Sequence, residues 1–329
     1  MNFDNLLKVE LHLHLDCGLS YEVVHRIDPS ITKEMYLQDF VAPVKCTDLA
    51  DFLTRAVKGY KLMQTQNELQ WVVQDLFKQL ATTNTLYAEI RFAPLQHLEK
   101  GLTPVEVVDI TEKAISESIR LTGIEARLIL CTLRHYSTQQ SMQTVKLAEQ
   151  FRESNVAGFD IAADEAGFPI DAHIPAFQYA KEKSIPVTAH AGEARGPESV
   201  WETLLHFAPQ RIGHGVRSVE DPALMAHLKN NNIHLEICPS CNVQINLYNA
   251  YTDHPVDRLY KAGISLSINT DAPTIVDIDL NREYRRLHTH FGWTKHDFFQ
   301  TNLNAVNAAF IPQRLKNKLL AQLANAYGL

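Results

Sequence analysis

The sequence predicts an α/β fold, a (β/α)8 or TIM barrel with additional helices. Apolar segments of strand length alternate with helical segments, a pattern typical of a parallel sheet, and eight strands are the number that closes such a barrel. Four of the strand segments end in histidine or a carboxylate, at the ends where barrels of this class carry their active sites. The 329 residues suffice for one large core, so we expect a single domain over residues 1–329.

The first predicted strand carries two histidines on one face. Alternate side chains of a strand point the same way, so His12 and His14 are aimed at the same side of the sheet. Such a pair could be two hydrogen-bonded core side chains or two metal ligands. Later strand ends bring in His190, His214 and Asp271, and this set of nitrogen and oxygen ligands favours a zinc site with an open position.

A long segment, residues 20–66, separates the first strand from the next helical unit. It includes an amphipathic helix predicted over residues 48–63, with Asp48 as its N-cap. This segment is longer than a connection between barrel units needs. It is either a lid over the strand ends or a layer packed against the side of the barrel.

The remaining units follow in a regular order. After the first strand, residues 8–16, the predicted strands are 86–92, 127–133, 158–162, 187–191, 211–213, 233–238 and 264–269. The helices that precede these seven strands are predicted at 68–81, 104–121, 139–153, 172–183, 198–207, 222–229 and 256–262. Three further helices, at 280–288, 296–310 and 313–327, are expected to cover the outside of the barrel.

Composition limits the possible partners. The net charge of −7 gives no basic surface for a nucleic acid, and no apolar stretch reaches the length of a membrane span. The N-terminus does not have the pattern of a secretory signal, and the five scattered cysteines are most simply reduced thiols. We therefore expect a cytoplasmic protein that acts on a small molecule, and the sequence leaves its oligomeric state open.

The strand-end motifs resemble those of adenosine deaminases, within the amidohydrolase superfamily. The resemblance covers essentially the whole chain and rests on the segments VELHLHLD at 9–16, YAEIRFAP at 87–94, GFDIA at 158–162, HAGE at 190–193, RIGHG at 211–215, EICP at 236–239 and INTD at 268–271. It implies one zinc ion, held by His12, His14, His190 and Asp271, with a water molecule completing the shell. It also implies hydrolytic deamination of adenosine and 2′-deoxyadenosine to inosine products and ammonia, by attack of zinc-bound hydroxide on purine C6.

The same resemblance implies roles for three side chains. Glu193 would protonate purine N1, while His214 and Asp271 would orient the attacking water and take up its proton. A general acid needs a pKa near the working pH, so we expect Glu193 to be shielded from solvent. The alternative for Glu193 is a carboxylate that caps the N-terminus of the next helix.

Departures from the family pattern concern the substrate. Asp16 matches the family's ribose contact, but the glycine that usually follows it is Cys17. Ala163 stands where a glycine N–H meets purine N3, and Ala272 stands where an acid often donates to purine N7. The substrate could therefore be a related aminopurine, such as adenine or a modified adenosine like aminodeoxyfutalosine. A binding protein without activity on the same fold is the alternative from a different functional class.

Two further motifs bear on the metal. His234 and Glu236, followed by Cys238 and Cys241, superficially resemble the signature of another class of zinc deaminase, but the order and spacing do not fit it. We expect these cysteines to be reduced packing or loop residues. The fourth strand ends in Ala-Ala-Asp-Glu over residues 162–165, without the lysine that supports a second metal in related barrels, so one ion is expected.

Overall fold

In a computed structural model, residues 1–328 are described, and they form eight strands surrounded by helices. The strands are β1 Lys8–His14, β2 Thr85–Phe92, β3 Glu125–Leu133, β4 Val156–Ala162, β5 Thr188–Ala191, β6 Arg211–His214, β7 His234–Ile237 and β8 Leu266–Ile268. The helices are α1 Tyr21–Ile27, α2 Lys33–Asp39, α3 Leu49–Lys61, α4 Gln66–Thr82, α5 Pro104–Thr122, α6 Thr138–Gln150, α7 Ile174–Glu182, α8 Pro197–Phe207, α9 Pro222–Asn230, α10 Pro239–Gln244, α11 Val256–Lys261, α12 Pro273–Val276, α13 Leu280–Phe291, α14 Lys295–Ala308 and α15 Gln313–Tyr327.

The strands close into a ring. They pair in chain order as two parallel ladders, β1 to β4 and β5 to β8. Single parallel bridges join the ladders, from Phe159 to Val187 on one side and from Leu13 to Asp271 on the other. The predicted (β/α)8 barrel is therefore confirmed.

The interior of the barrel contains ion pairs as well as apolar side chains. Arg91 on β2 contacts Asp160 on β4 and Glu236 on β7, and strands that are not neighbours can meet in this way only across the interior. All three side chains are fully buried. Burying charges is costly unless they are paired, so this part of the core is a polar network that supports the strand ends above it.

Helix α3 lies over the C-terminal ends of the strands. Asp48 caps it by accepting a hydrogen bond from the backbone N–H of Asp51 at 2.9 Å, as predicted, and the helix ends two residues before the predicted boundary. At Gly59 a Cβ atom would lie 2.0 Å from the carbonyl oxygen of Asp16, so only glycine lets α3 approach the turn after β1 this closely. Two short helices, α1 and α2, fill the rest of the predicted long segment.

Two short helices were not predicted from the sequence. Helices α10 and α12 directly follow β7 and β8, and each begins at the proline that comes after the strand end. Six and four residues are too few for a helical period to be recognised. Over residues 1–328, no helix has the length and apolar character that crossing a membrane requires.

Candidate active site

Three imidazole nitrogens and one carboxylate oxygen meet at the C-terminal end of the barrel. Asp271 Oδ1 lies 3.1 Å from His12 Nε2 and 3.4 Å from His14 Nε2. His190 Nε2 lies 3.2 Å from His14 Nε2. Two ligands of a tetrahedral zinc ion, each about 2.0 to 2.1 Å from the metal, are about 3.4 Å apart. These three distances are close to that spacing, and His12, His190, His214 and Asp271 each offer a ligand atom that lies within 4.8 Å of the others.

Hydrogen bonds on the far side of two rings leave lone pairs facing this point. His12 Nδ1 lies 2.9 Å from Glu236 Oε2, and His190 Nδ1 lies 3.1 Å from Asp160 Oδ2. An ionised carboxylate only accepts, so each Nδ1 carries a proton, and in the neutral form of each ring Nε2 keeps its lone pair. His12 Nε2 is buried without a hydrogen-bond partner, and burial lowers the pKa of this imidazole to about 4. The lone pairs of these nitrogens and the nearby carboxylate oxygen can together bind a divalent cation.

Arg91 connects the two carboxylates behind these rings. One of its nitrogens donates to Asp160 Oδ2 and the other to Glu236 Oε2, both at 2.7 Å. Arg211 Nε lies 2.7 Å from the other oxygen of Glu236, and Arg211 also pairs with Glu89. Burial alone would raise the pKa of Asp160 and of Glu236, but the cationic groups around them hold both pKa values below the usual range. Both supporting carboxylates are therefore ionised.

Glu193 and His214 lie beside the four donors, with Glu193 Oε1 3.4 Å from His214 Nε2. Burial raises the pKa of Glu193 well above its usual value, and the charges of Asp271 and Glu165 add to this effect. Burial lowers the pKa of His214 to about 4. A shielded carboxyl that stays protonated can donate, and this is the environment that the sequence analysis expected for Glu193.

Glu165 holds the loop that carries Glu193, a role that the sequence analysis missed. Its carboxylate accepts backbone hydrogen bonds from Gly192 at 2.7 Å, Glu193 at 3.0 Å, Ala194 at 2.6 Å and Arg195 at 2.9 Å, and one from Ser199 Oγ at 2.5 Å. Backbone donors leave no mark in a sequence pattern. The only available signal was a glutamate three residues after the end of β4.

Three residues at strand ends keep a left-handed backbone, namely Ala163 with φ 81°, His214 with φ 59° and Asp271 with φ 63°. Each such residue costs about 1 to 2 kcal/mol when it is not glycine. Strain of this kind persists where the surrounding structure fixes a side chain in place.

At Gly213, a Cβ atom would lie 3.0 Å from His12 Cε1, so glycine allows the imidazole to lie against β6.

A cavity of about 40 Å³ separates the donors from α3. Leu49, Phe52 and Leu53 of α3 line it, which places this helix over the strand ends as the lid interpretation predicted. The space holds about one water molecule. A cleft of about 450 Å³ adjoins it, shares Leu49 and Glu193 with it, and reaches Asp48 and Asp164.

The predicted substrate-binding residues divide into two groups. Ala163 and Ala272 line the small cavity, as does Cys17. Asp16 is buried in the turn after β1 and does not line the cavity, and Cys17 Sγ lies 3.7 Å from its Oδ1 atom. In this arrangement a direct contact between Asp16 and a sugar requires a shift of the turn.

Cys241 is a second residue whose position the sequence analysis did not anticipate. Its Sγ lies 2.8 Å from Asp271 Oδ2, so the thiol donates to the carboxylate oxygen that does not face the imidazoles. Cys238 is buried in the same apolar cluster and does not contact the donors, in agreement with the packing role expected for it. The five cysteines are free, as expected.

Comparison with known proteins identifies relatives over nearly the whole chain. The adenosine deaminase family model matches residues 7–326. The adenosine deaminase of Enterococcus faecalis is 34% identical, with 98% of this chain and 97% of the relative covered. The adenosine deaminase of Clostridium perfringens is 33% identical, with 97% of this chain and 98% of the relative covered.

Solved structures with the same fold are named for different activities. An adenine deaminase from Arthrobacter aurescens has a TM-score of 0.90 and 22% identity, covering 98% of this chain and 99% of its own. An amidohydrolase from Burkholderia ambifaria with bound zinc has a TM-score of 0.91 and 22% identity, covering 99% and 92%. An N6-methyl-AMP deaminase from Arabidopsis thaliana has a TM-score of 0.86 and 24% identity, covering 98% of each chain. These likenesses support the fold.

Proposed function

Because the chain belongs to the adenosine deaminase family, whose members are hydrolases acting on C–N bonds of cyclic amidines, we propose that it deaminates adenosine and 2′-deoxyadenosine. The products are inosine or 2′-deoxyinosine and ammonia. The observation that carries the proposal is the convergence of His12, His14, His190 and Asp271 next to a carboxyl group, that of Glu193, whose pKa is raised. Such a site holds a metal ion and a proton donor within reach of one small molecule.

We assign one zinc ion to the four donors. Bound there, zinc would act as a Lewis acid and lower the pKa of a water molecule to about 7. Glu193 then donates its proton to the purine ring nitrogen next to the amino-bearing carbon, which makes that carbon electrophilic. His214 and Asp271 orient the attacking water, whose proton passes to the protein. The amino group leaves as ammonia after it gains a proton, and the 6-oxo purine remains.

The charges around the site favour a nucleoside over a nucleotide. Among residues 1–328, the lining of the small cavity and of the adjoining cleft includes Asp48, Asp164 and Glu193 but neither lysine nor arginine. A phosphate carries up to two negative charges and needs cationic partners when it is taken from water. The adjoining cleft of about 450 Å³ offers neutral and acidic surroundings suited to the hydroxyl groups of a sugar. Entry of a nucleoside requires α3 to move away, because about 40 Å³ cannot hold it.

A related aminopurine is the second candidate. Ala272 cannot donate a hydrogen bond, and Asp16 does not line the cavity, so two contacts expected for adenosine are missing in this arrangement. Adenine or a modified adenosine such as aminodeoxyfutalosine would then be the preferred substrate. The same chemistry at the same site would serve each of these compounds.

The test is a substrate panel with zinc-loaded protein. Hydrolysis is followed by the ultraviolet shift that accompanies conversion of the 6-amino to the 6-oxo purine, for adenosine, 2′-deoxyadenosine, adenine, aminodeoxyfutalosine and AMP. We expect the nucleosides to have the highest kcat/KM and AMP the lowest. Faster turnover of adenine or AMP would overturn the substrate assignment, and turnover of none would support a binding protein.

Two variants test the roles. Glu193→Gln should keep its zinc, measured by metal analysis, and lose about 100-fold or more in kcat, because the amide cannot supply the proton. His12→Ala should lose both zinc and activity. A near-normal rate in Glu193→Gln would refute its assignment as proton donor.

A further inference from the structure

A chain of buried hydrogen bonds leads away from His214 on the side opposite Glu193. His214 Nδ1 lies 3.1 Å from Asn242 Nδ2, and Asn242 Oδ1 lies 3.2 Å from His254 Nε2. The backbone N–H of Val256 donates to His254 Nδ1 at 3.1 Å. The side chains of His214, Asn242 and His254 are almost completely buried. Buried polar atoms pair with one another, so the protons of this chain must be arranged consistently.

The backbone group sets the direction of every bond in the chain. A backbone N–H can only donate, so His254 Nδ1 is unprotonated and His254 carries its proton on Nε2. Burial lowers the pKa of His254 to about 3, which agrees with a neutral ring. Nε2 of His254 then donates to Asn242 Oδ1, and this fixes the orientation of the amide. The amide NH2 group faces His214, whose Nδ1 must accept.

We propose that Asn242 and His254 are positioning residues that hold the proton of His214 on Nε2, the nitrogen that faces Glu193 and the candidate metal site. The inference rests on the deaminase function proposed above. His214 then meets the attacking oxygen as a hydrogen-bond donor. Of the two groups that orient the water, only the carboxylate of Asp271 remains free to accept its proton.

The strained backbone at His214 supports this arrangement. His214 is held at φ 59°, in a region that few residues other than glycine adopt, and the flanking Gly215 is left-handed as well. The cost of this backbone is offset only if the imidazole has to occupy one position and one orientation. The bond from Asn242 to Nδ1 supplies that second constraint, since it fixes the rotation of the ring about its Cβ–Cγ bond.

The test compares two variants chosen for the direction of the hydrogen bond. In Asn242→Asp, a carboxylate of the same shape accepts from both histidines, so His214 must move its proton to Nδ1. In His254→Gln, the side-chain amide can still donate to Asn242 Oδ1, so the chain keeps its direction. The tautomer of His214 is read by NMR of zinc-loaded protein labelled with 15N-histidine, without substrate, and the resonances are assigned by their loss in His214→Gln.

We expect wild type and His254→Gln to carry the His214 proton on Nε2, and Asn242→Asp to carry it on Nδ1. Asn242→Asp should then lose about 100- to 1,000-fold in kcat, the loss typical of one preorganised donor, with little change in KM or in zinc content. His254→Gln should keep most of its activity.

Three results would overturn the proposal. One is a wild-type His214 protonated on Nδ1, which needs no variant and holds even if Asn242→Asp does not fold. The second is a flipped tautomer in Asn242→Asp with an unchanged kcat, and the third is a loss of rate without a flip. A proton on Nε2 in a wild-type protein that leaves adenosine untouched would support the positioning chain and refute the proposed function.

Discussion

Variants of two buried arginines can distinguish an effect on zinc affinity from an effect on the free energy of unfolding. Arg91 and Arg211 are both fully buried, and both contact Glu236. Arg91 contacts the oxygen of Glu236 that holds His12, and its other nitrogen holds Asp160, the partner of His190. Arg211 contacts the other oxygen of Glu236 and also Glu89, which has no contact with the candidate metal ligands. We therefore predict that Arg91→Lys weakens zinc binding and that Arg211→Lys does not.

The expected magnitudes follow from these contacts. Lysine keeps the charge, but one ammonium group cannot hold two carboxylates in the geometry of a guanidinium fork, so each variant loses at least one charged hydrogen bond. Each loss should lower the free energy of unfolding by about 1.5 to 3 kcal/mol. Disturbing a carboxylate that orients a ligating histidine lowers metal affinity about 10- to 100-fold, which is about 1.4 to 2.7 kcal/mol. Only Arg91→Lys should show this second effect.

The assay has two parts. Zinc affinity is measured by competition with a chromophoric chelator, and stability is measured by urea denaturation of the zinc-free protein. We expect similar losses of stability in both variants and a loss of zinc affinity in Arg91→Lys alone. An equal loss of affinity in both variants, or none in Arg91→Lys, would refute the assignment of Arg91 as the link between the two supporting carboxylates.

Three further predictions concern other parts of the site and the fold. Glu165→Gln places an amide NH2 group against backbone donors and should lower kcat up to about 100-fold by displacing Glu193. An unchanged kcat would show that the loop that carries Glu193 does not need Glu165 to hold it in place. Ala163→Gly should stabilise the protein by about 0.5 to 1 kcal/mol in urea denaturation, because Ala163 is held at φ 81°. The control, Ala162→Gly in β4, should destabilise the protein. A change of the same sign in both variants would contradict the idea that the backbone of Ala163 is strained. Burial lowers the pKa of His97 to about 4, so this neutral ring contributes stability above pH 6.5 that is lost as the pH falls toward 4, up to about 3 kcal/mol. In His97→Asn the slope of unfolding free energy against pH should be flatter over that range, and an identical slope would exclude His97 as its source.

Much of the fold could be predicted from the sequence because each barrel unit gives two signals, an apolar strand and an amphipathic helix. An apolar strand such as residues 187–191 is followed by a polar end and then by a helical period of three or more turns. The two short helices after β7 and β8 lack the second signal and were missed. The periodicity of residues 48–63 indicates an apolar helix face but not what that face covers. The position of α3 over the small cavity supports the lid interpretation.

The candidate donors could be predicted from the sequence, and their supports could not. His12 and His14 are two residues apart on one strand, so the alternation of the strand brings them together without knowledge of the fold. Asp160 and Glu236 are charged residues inside apolar strands, which indicates that each must be paired. Their histidine partners lie on other strands, at separations of 30 and 224 residues along the chain, and only the folded barrel reveals them.

The charge balance of the barrel interior provides an independent argument for a single divalent ion. The connected network contains two guanidinium groups and four carboxylates, which belong to Arg91, Arg211, Glu89, Asp160, Glu236 and Asp271. We count the imidazoles that join them as neutral, each with its proton on the nitrogen that donates to a carboxylate. The network therefore lacks two positive charges, and uncompensated charge in a dry interior is strongly unfavourable. The single zinc ion that we propose would supply that charge at the point where the imidazole nitrogens converge, whereas a second divalent ion would leave two positive charges in excess.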